Sequence, residues 1–368
     1  MLDNVKGNFG FGCMRLPMNG GEVDYSEFSK MIDAFMGAGF NYFDTARGYI
    51  DGKSEIAIRE CLVKRYPRES FVLVDKLSPG FIKCNEDIRK VFAAQLESLG
   101  VDYLDVYLMH SQNRFHFERY KNIGAYEEAF KLKSEGKVGC VGISFHDTAD
   151  VLDGILTEYP EIEVVQLQVN YYDYEDKIVQ SRLCLEVCKK HGKPVIVMEP
   201  VRGGMLASPP LEAKAVLEKL DGSFATWAIR FSASCDGVIM VLSGMGNMDM
   251  MMDNVSAMKS FKPITDAERA VLFDAAAAIR KRNIITCTSC RYCIPGCPMN
   301  IEIPELFTCL NEKRNGGSWQ GEYFYELKTK NGSPASSCIE CGACEEVCPQ
   351  KLEIRELLKE VSREFDKK

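Results

Sequence analysis

Residues 41–55 read Asn-Tyr-Phe-Asp-Thr-Ala-Arg-Gly-Tyr-Ile-Asp-Gly-Lys-Ser-Glu. A short apolar run, Asn41–Phe43, breaks into a polar loop that begins at Asp44 and carries Tyr49. The same change recurs downstream. Phe71–Lys76 ends in Asp75-Lys76, and Tyr103–Met109 runs into His110. Gly10–Arg15, Val138–Ile143, Val164–Gln168, Pro194–Met198 and Gly237–Leu242 complete a set of eight strand-like runs. Helical patterns such as Asp24–Ala38, Asn85–Leu99 and Lys177–His191 lie between them. Continuous apolar runs suit strands covered on both faces. Their alternation with helices predicts fold class α/β, a closed parallel (β/α)8 TIM barrel. An open doubly wound sheet is the alternative. It calls for a glycine-rich dinucleotide turn after the first strand, and Gly7, Gly10 and Gly12 do not make G-x-G-x-x-G.

In a closed barrel, chemistry collects at the C-terminal ends of the strands. That places Asp44, Tyr49, Lys76 and His110 on one rim. The chain has 368 residues, enough for a barrel of about 250 plus an appendage. We expect a barrel over residues 1–262, a linker helix over 263–283 and a second domain over 284–368.

The second domain is marked by its cysteines. Cys287, Cys290, Cys293 and Cys297 are followed by Pro298; Cys338, Cys341, Cys344 and Cys348 are followed by Pro349. Both runs match C-x2-C-x2-C-x3-C-P, the bacterial two-cluster ferredoxin pattern, in which the fourth cysteine of each run serves the other cluster. Three thiolates at this spacing wrap one face of a cubane, and the fourth reaches across. The first 4Fe–4S cluster then takes Cys287, Cys290, Cys293 and Cys348, and the second takes Cys338, Cys341, Cys344 and Cys297. Structural zinc favours separated pairs of ligands. Disulfide scaffolds are short and secreted. Neither fits as well. Forty residues separate Cys297 from Cys338, more than in small ferredoxins. Helix-like stretches, Ile303–Leu310 and Glu322–Leu327, flank a Gly316–Gly317 turn, and Lys351–Phe365 is amphipathic. A mainly helical ferredoxin-like module follows. Cys184 and Cys188 share a helix face and read as small buried apolar residues.

Net charge is −8, of which the tail from Ile284 carries −2 (eleven basic and thirteen acidic residues). Neither part is basic, so no nucleic acid and no membrane is expected as partner. No apolar stretch reaches the roughly 18 residues of a membrane helix. The first ten residues lack a signal pattern, and a cytoplasmic location is expected.

The segments FDTARGYIDGKSE, VDK, YLMH and GKVGCVGIS resemble the aldo-keto reductases over roughly residues 5 to 260. The resemblance implies a catalytic set of Asp44, Tyr49, Lys76 and His110. The chemistry is coherent. Tyrosine, with an ordinary pKa of about 10, is a poor acid until a neighbouring ammonium lowers that value. Lys76 would supply the ammonium, Asp44 would hold it, and His110 would orient the carbonyl. Taken singly, each has a plainer reading: a packed tyrosine, a helix-capping aspartate, a core histidine.

The resemblance also implies a nicotinamide dinucleotide. Ser144 and Gln168 match the carboxamide ligands. Met198 falls where many members place a tyrosine against the ring. Gly203 and Gly204 match the pyrophosphate loop, Asn254 the adenine contact, and Ser243 and Gly244 open the segment near the 2′-position. NADPH-specific members carry cations at the positions of Gly244 and Met250. A phosphate dianion lacking a cation is poorly held, so NAD(H) is expected ahead of NADP(H). Arg47, Arg202 and His146 are further rim candidates, each with an equally plain surface reading, and Tyr171 and Tyr172 are expected to line the mouth.

Hydride carries two electrons and a cluster passes one, which flavins reconcile and nicotinamides do not. The expected function is nicotinamide-dependent reduction of a small-molecule carbonyl, or oxidation of an alcohol, with the clusters exchanging electrons with a redox protein partner. A flavin-bridged reductase, structural clusters, and an electron-transfer or regulatory protein that keeps the barrel as a binding module stay open.

Overall fold

The computed structural model describes residues 4–281, 284–314, 318–330 and 332–366. Apart from a short two-stranded hairpin (Met18–Asn19 with Glu22–Val23), eight barrel strands follow in chain order: β1 (Phe9–Gly12), β2 (Tyr42–Asp44), β3 (Val72–Leu77), β4 (Leu104–Gln112), β5 (Val138–Phe145), β6 (Val164–Gln168), β7 (Val195–Met198) and β8 (Val238–Ser243). Each lies where its apolar run predicts, with ends displaced by at most three residues. They close into a parallel barrel in the order β1-β8-β7-β6-β5-β4-β3-β2, with β1 hydrogen-bonded to both β8 and β2.

The barrel interior is filled from alternate strand positions, as a two-residue period requires. Tyr42, Val72, Val74, Val106, Leu108, Cys140, Val164, Ile196, Met240 and Leu242 form this cluster. Gly10 on β1 makes room for its bulkiest members. A Cβ there would lie 2.6 Å from Leu242 Cδ2 and 2.9 Å from Tyr42 Cδ1.

The chain divides into two units, Met1–Val201 with Gly222–Arg269, and Arg202–Asp221 with Ala270–Lys368. The division falls inside the helix Asp266–Arg280, and the segment after β7 belongs to the second unit. The expected linker helix extends to Arg282 and Asn283, and the Gly316–Gly317 turn was placed further on; these four residues lie outside the described ones.

The second unit packs Ile303–Arg314, Ser318–Lys330 and Ile354–Phe365 around a small core. Ile354–Phe365 buries Ile354, Leu358 and Val361, spaced four and three residues apart on one helix face. Tyr325 stacks on Phe365 at 4.6 Å, and its hydroxyl donates to Asp366 Oδ1 at 2.6 Å.

Candidate active site and cluster loops

The alternation that fills the barrel also builds its rim. Two residues beyond Tyr42, Val74 and Leu108 on the same inward faces stand Asp44, Lys76 and His110. The same step leads from Val164 to Gln166 and Gln168, from Ile196 to Met198 and from Leu242 to Gly244.

Lys76 is fully buried. Its Nζ donates to Asp44 Oδ1 at 2.5 Å, to the Thr45 carbonyl at 2.6 Å and to the Tyr49 hydroxyl at 3.2 Å. Gln166 Nε2 donates to the other Asp44 oxygen at 3.0 Å. The carboxylate is thus held on both sides, and the ammonium is aimed at one phenol. Ile50 and Asp51, just beyond Tyr49, have φ of 53° and 54°. A β-branched residue in that region costs of order 1–3 kcal/mol and persists where the surroundings enforce it.

The His110 ring meets Tyr49 edge-on, centroids 6.0 Å apart, and its Nδ1 lies 2.6 Å from Ser78 Oγ. Burial, then the charge of Lys76, then His146 and His116, push its pKa well below the ordinary 6.5. The imidazole is therefore neutral, able to accept at one nitrogen and donate from the other. Three of the chain's four histidines interact here. His116 was missed by the sequence reasoning; its Nδ1 lies 2.7 Å from the Ser111 carbonyl. Gln166 and Ser78 were missed too. Strand parity, continued past the apolar core, points to Gln166; nothing in the sequence points to Ser78.

Arg47 is tied into the fold rather than left as a solvated charge. Its Nη1 donates to Glu55 Oε2 at 2.6 Å and to Ser98 Oγ at 2.8 Å. Behind it, Glu55 and Asp75 are fully buried. Glu55 Oε1 and Asp75 Oδ2 have no donor of their own. Burial, followed by the Glu55 charge, pushes Asp75 well above the carboxylate range, and burial also raises Glu55. One proton shared between the two carboxyls satisfies both. Tyr171 does not line the mouth; it is buried against Phe231.

Of the cofactor candidates, Ser144 is the penultimate residue of β5, and Gln168 and Met198 end the neighbouring strands β6 and β7. Ser144 Oγ accepts from the Ser111 amide at 2.8 Å, and Gln168 Nε2 donates to Asp173 at 2.7 Å. Asn254 Nδ2 donates to Ser243 Oγ at 2.8 Å, both residues buried. Beside Gly244 lies a cation that local sequence did not reveal. A Cβ on Gly244 would be 3.5 Å from the Arg15 Cβ, and Arg15 pairs with Glu199 at 3.7 Å.

Arg202 is buried, contrary to both rim readings, and bonds within the second unit. Gly203 has φ of 65°, and a Cβ there would lie 2.5 Å from the Thr288 carbonyl oxygen. Its missing side chain therefore makes room for Thr288. Gly204, φ 100°, has open space around it.

The two cysteine runs share one backbone. The second residue after the leading cysteine, Ser289 or Glu340, has positive φ, as has the fourth, Arg291 or Gly342. The third residue after each fourth cysteine, Asn300 or Lys351, repeats the sign. The Ser289 and Glu340 amides each donate to the leading sulfur, of Cys287 and Cys338, at 3.4 Å. Successive amides turned inward in this way make an anion-binding nest. Cys287, Cys290, Cys293 and Cys348 line one cavity. That is the crossed set for the first cluster, brought together from two runs, and its donor chemistry suits iron–sulfur ligation.

The aldo/keto reductase family profile matches residues 8–273, most of the chain. The protein belongs to the aldo/keto reductase family. A 4Fe–4S dicluster domain profile matches residues 286–352, so this reductase is an iron–sulfur oxidoreductase. It is 26% identical over 290 residues to an NADH-specific methylglyoxal reductase of Escherichia coli, covering 66% of this chain and 85% of that one. It is 27% identical to an L-galactose dehydrogenase of Arabidopsis thaliana over 277 residues, 69% of this chain and 85% of the other. The aldo-keto reductase of Bacillus halodurans in its holo form superposes with a TM-score of 0.59 at 25% identity, covering 74% of this chain and 92% of that one. One from Klebsiella pneumoniae, in complex with NADPH, shares the fold at 20% identity and a TM-score of 0.59, over 72% and 89% of the two chains. No helix among the described residues is long and apolar enough to cross a membrane.

Proposed function

We propose that this reductase converts a small carbonyl compound to an alcohol, or runs the reverse reaction, using NADH in preference to NADPH. A carbonyl, NADH and one proton become an alcohol and NAD+, so the books close without the clusters. The nicotinamide supplies the hydride when bound. The chain's residues manage the oxygen. Tyr49 donates the proton, and the Lys76 ammonium makes it a stronger acid. Asp44 and Gln166 keep that ammonium in place. Neutral His110, its Nδ1 beside the Ser78 hydroxyl, offers Nε2–H to the carbonyl oxygen. The carrying observation is the buried Lys76 ammonium bracketed by Asp44 and the Tyr49 hydroxyl, at 2.5 and 3.2 Å.

For the nucleotide, we assign Ser144 and Gln168 to the carboxamide, Met198 to the ring face, and Ser243, Gly244 and Asn254 to the adenosine end. The NADH preference is supported by the uncharged Gly244 and Met250, and by the similarity to the NADH-specific Escherichia coli reductase. Arg15 does not supply a ready 2′-phosphate site while Glu199 is its partner. The two clusters are proposed to exchange single electrons with a redox protein.

The test is Tyr49→Phe, assayed anaerobically with NADH and methylglyoxal as the probe carbonyl. Loss of a positioned proton donor lowers kcat by about 10²–10⁴-fold. A wild-type rate in that variant sinks the assignment, and equal kcat/KM for NADH and NADPH sinks the nucleotide preference.

A further inference from the structure

Two carboxyls that the reduction does not use lie behind Lys76. Asp75 precedes Lys76 on β3 and, by strand parity, points away from the barrel interior. Glu55 stands on the helix Lys53–Ile58, just beyond the Tyr49 loop. Both are 0% exposed. Asp75 Oδ1 accepts from the Lys76 amide at 2.7 Å, and Glu55 Oε2 accepts from Arg47 Nη1 at 2.6 Å. Asp75 Oδ2 and Glu55 Oε1 are left, buried and with no donor among the described residues. The two carboxyls are within hydrogen-bonding reach of one another. Their surroundings offer no spare hydrogen. The Tyr107 hydroxyl on β4 donates to Gln95 Oε1 at 2.8 Å, and Gln95 Nε2 donates to the Lys76 carbonyl at 3.0 Å. The Ser98 hydroxyl lies with Arg47 on the Glu55 side. The Lys76 ammonium is committed to Asp44, Thr45 and Tyr49. Two acceptor oxygens facing each other away from water repel unless a proton lies between them.

We propose that Asp75 keeps a proton at neutral pH, donates it from Oδ2 to Glu55 Oε1, and by this bond latches the segment carrying Tyr49 to the strand carrying Lys76. Asp75 and Glu55 are then positioning residues for the phenol, a role that rests on the Tyr49–Lys76 assignment. Glu55 is the anion of the pair because Arg47 is its partner. Burial, then the Glu55 charge, raises Asp75. The segment is otherwise closed largely on itself. Thr45 Oγ1 and Ser54 Oγ lie 2.8 Å apart, and Arg47 reaches Glu55. Between them Ile50 and Asp51 hold positive φ, a conformation that persists only where the surroundings enforce it. The latch supplies part of that enforcement from the outer side of β3. In the unfolded chain both carboxyls lose their protons at about pH 4, whereas the folded pair keeps one. The stabilisation is therefore complete below that pH and is lost as the pH rises through the folded value.

The experiment compares the full chain with Asp75→Asn and Asp75→Ala, all purified anaerobically. Asparagine keeps the oxygen that Lys76 needs and gives Glu55 an NH2 donor that no rise in pH removes. At pH 7, the infrared difference spectrum of wild type minus Asp75→Asn should show the carbonyl stretch of a protonated carboxyl. In urea titrations at pH 5, 6 and 7, the unfolding constant of the wild-type barrel should rise about tenfold per pH unit relative to that of Asp75→Asn. The slope from His110 is common to both and cancels. Hydrogen exchange across residues 44–58 should quicken about tenfold in Asp75→Ala, where Glu55 loses its donor, and stay at the wild-type rate in Asp75→Asn. If Asp75→Ala does not fold, the first two readings decide. No carboxyl band, a flat ratio of unfolding constants, an Asp75→Asn chain that does not fold, or equal quickening in both variants overturns the latch. None of these readings uses turnover. Their failure beside intact NADH oxidation removes the latch alone, and their success beside an inactive chain removes the reductase reading alone.

Discussion

Replacing Asp44 by asparagine removes the anion from a lysine that is 0% exposed. Two donors converge on that carboxylate, Lys76 Nζ at 2.5 Å and Gln166 Nε2 at 3.0 Å. An asparagine offers one oxygen, so one donor must face an NH2 group whichever way the amide turns. Breaking a buried pair in this way costs about 3–5 kcal/mol. At about 2–4 °C per kcal/mol for a domain of this size, the barrel transition should fall by about 6–20 °C. Lys76→Met strands the carboxylate instead and should cost a similar amount. The double variant leaves neither charge buried, so its stability should recover towards wild type, giving a coupling energy larger than the cost of one single variant, at least about 3–5 kcal/mol. Carbonyl reduction should not recover. It stays about 10²–10⁴-fold down in both variants that lack Lys76, because Tyr49 has lost its ammonium, and it falls in Asp44→Asn because that ammonium is no longer held in place. Calorimetry and the NADH assay on the same preparations separate the two outcomes. The reasoning is refuted if Asp44→Asn melts within about 2 °C of wild type, or if the double variant is less stable than either single.

The depressed His110 pKa has a sign that can be checked. Between that value and 6.5, the unfolded chain holds a proton that the folded chain does not, so stability rises with pH, by at most about 1.4 kcal/mol per unit. His110→Gln should flatten this slope in urea titrations at pH 5 and 7, and an unchanged slope means the ring is not held neutral. Crossed ligation makes a separate demand. Cys348→Ser should perturb the cluster of Cys287, Cys290 and Cys293, and leave the signal held by Cys338, Cys341 and Cys344 intact; the opposite pattern would uncross the assignment. Iron removal by chelation should unfold the C-terminal unit, whose small core includes Cys293, Cys344 and Cys348, while the barrel's far-ultraviolet signal and melting transition remain.

The barrel was legible because its information is local. Apolar runs mark strands, polar breaks mark their ends, and parity carries the inward face from Tyr42 to Asp44 and from Leu108 to His110. The cysteine runs were legible for the same reason, since their spacing marks a two-cluster module, and Cys287, Cys290, Cys293 and Cys348 line one cavity. What escaped was tertiary. Arg15 and Gly244 lie 229 residues apart in sequence yet side by side in the fold. Arg47 finds Ser98 and Glu55, and Glu55 finds Asp75, through contacts no pattern announces. The Arg202–Asp221 segment follows a barrel strand but packs with the cysteine-bearing unit. Gly203 was read as a glycine for a ligand's approach, and its neighbour is a loop of the same chain. A glycine signals close approach without naming what approaches.

Direct hydride transfer is the central claim, and isotope placement tests it. NADH deuterated at the transferable position should give an alcohol that carries deuterium on the former carbonyl carbon, even when the solvent is ordinary water and the clusters are loaded. A product carrying solvent hydrogen at that carbon, with the label lost to water, would contradict direct transfer and would mean that electrons and protons reach the substrate separately.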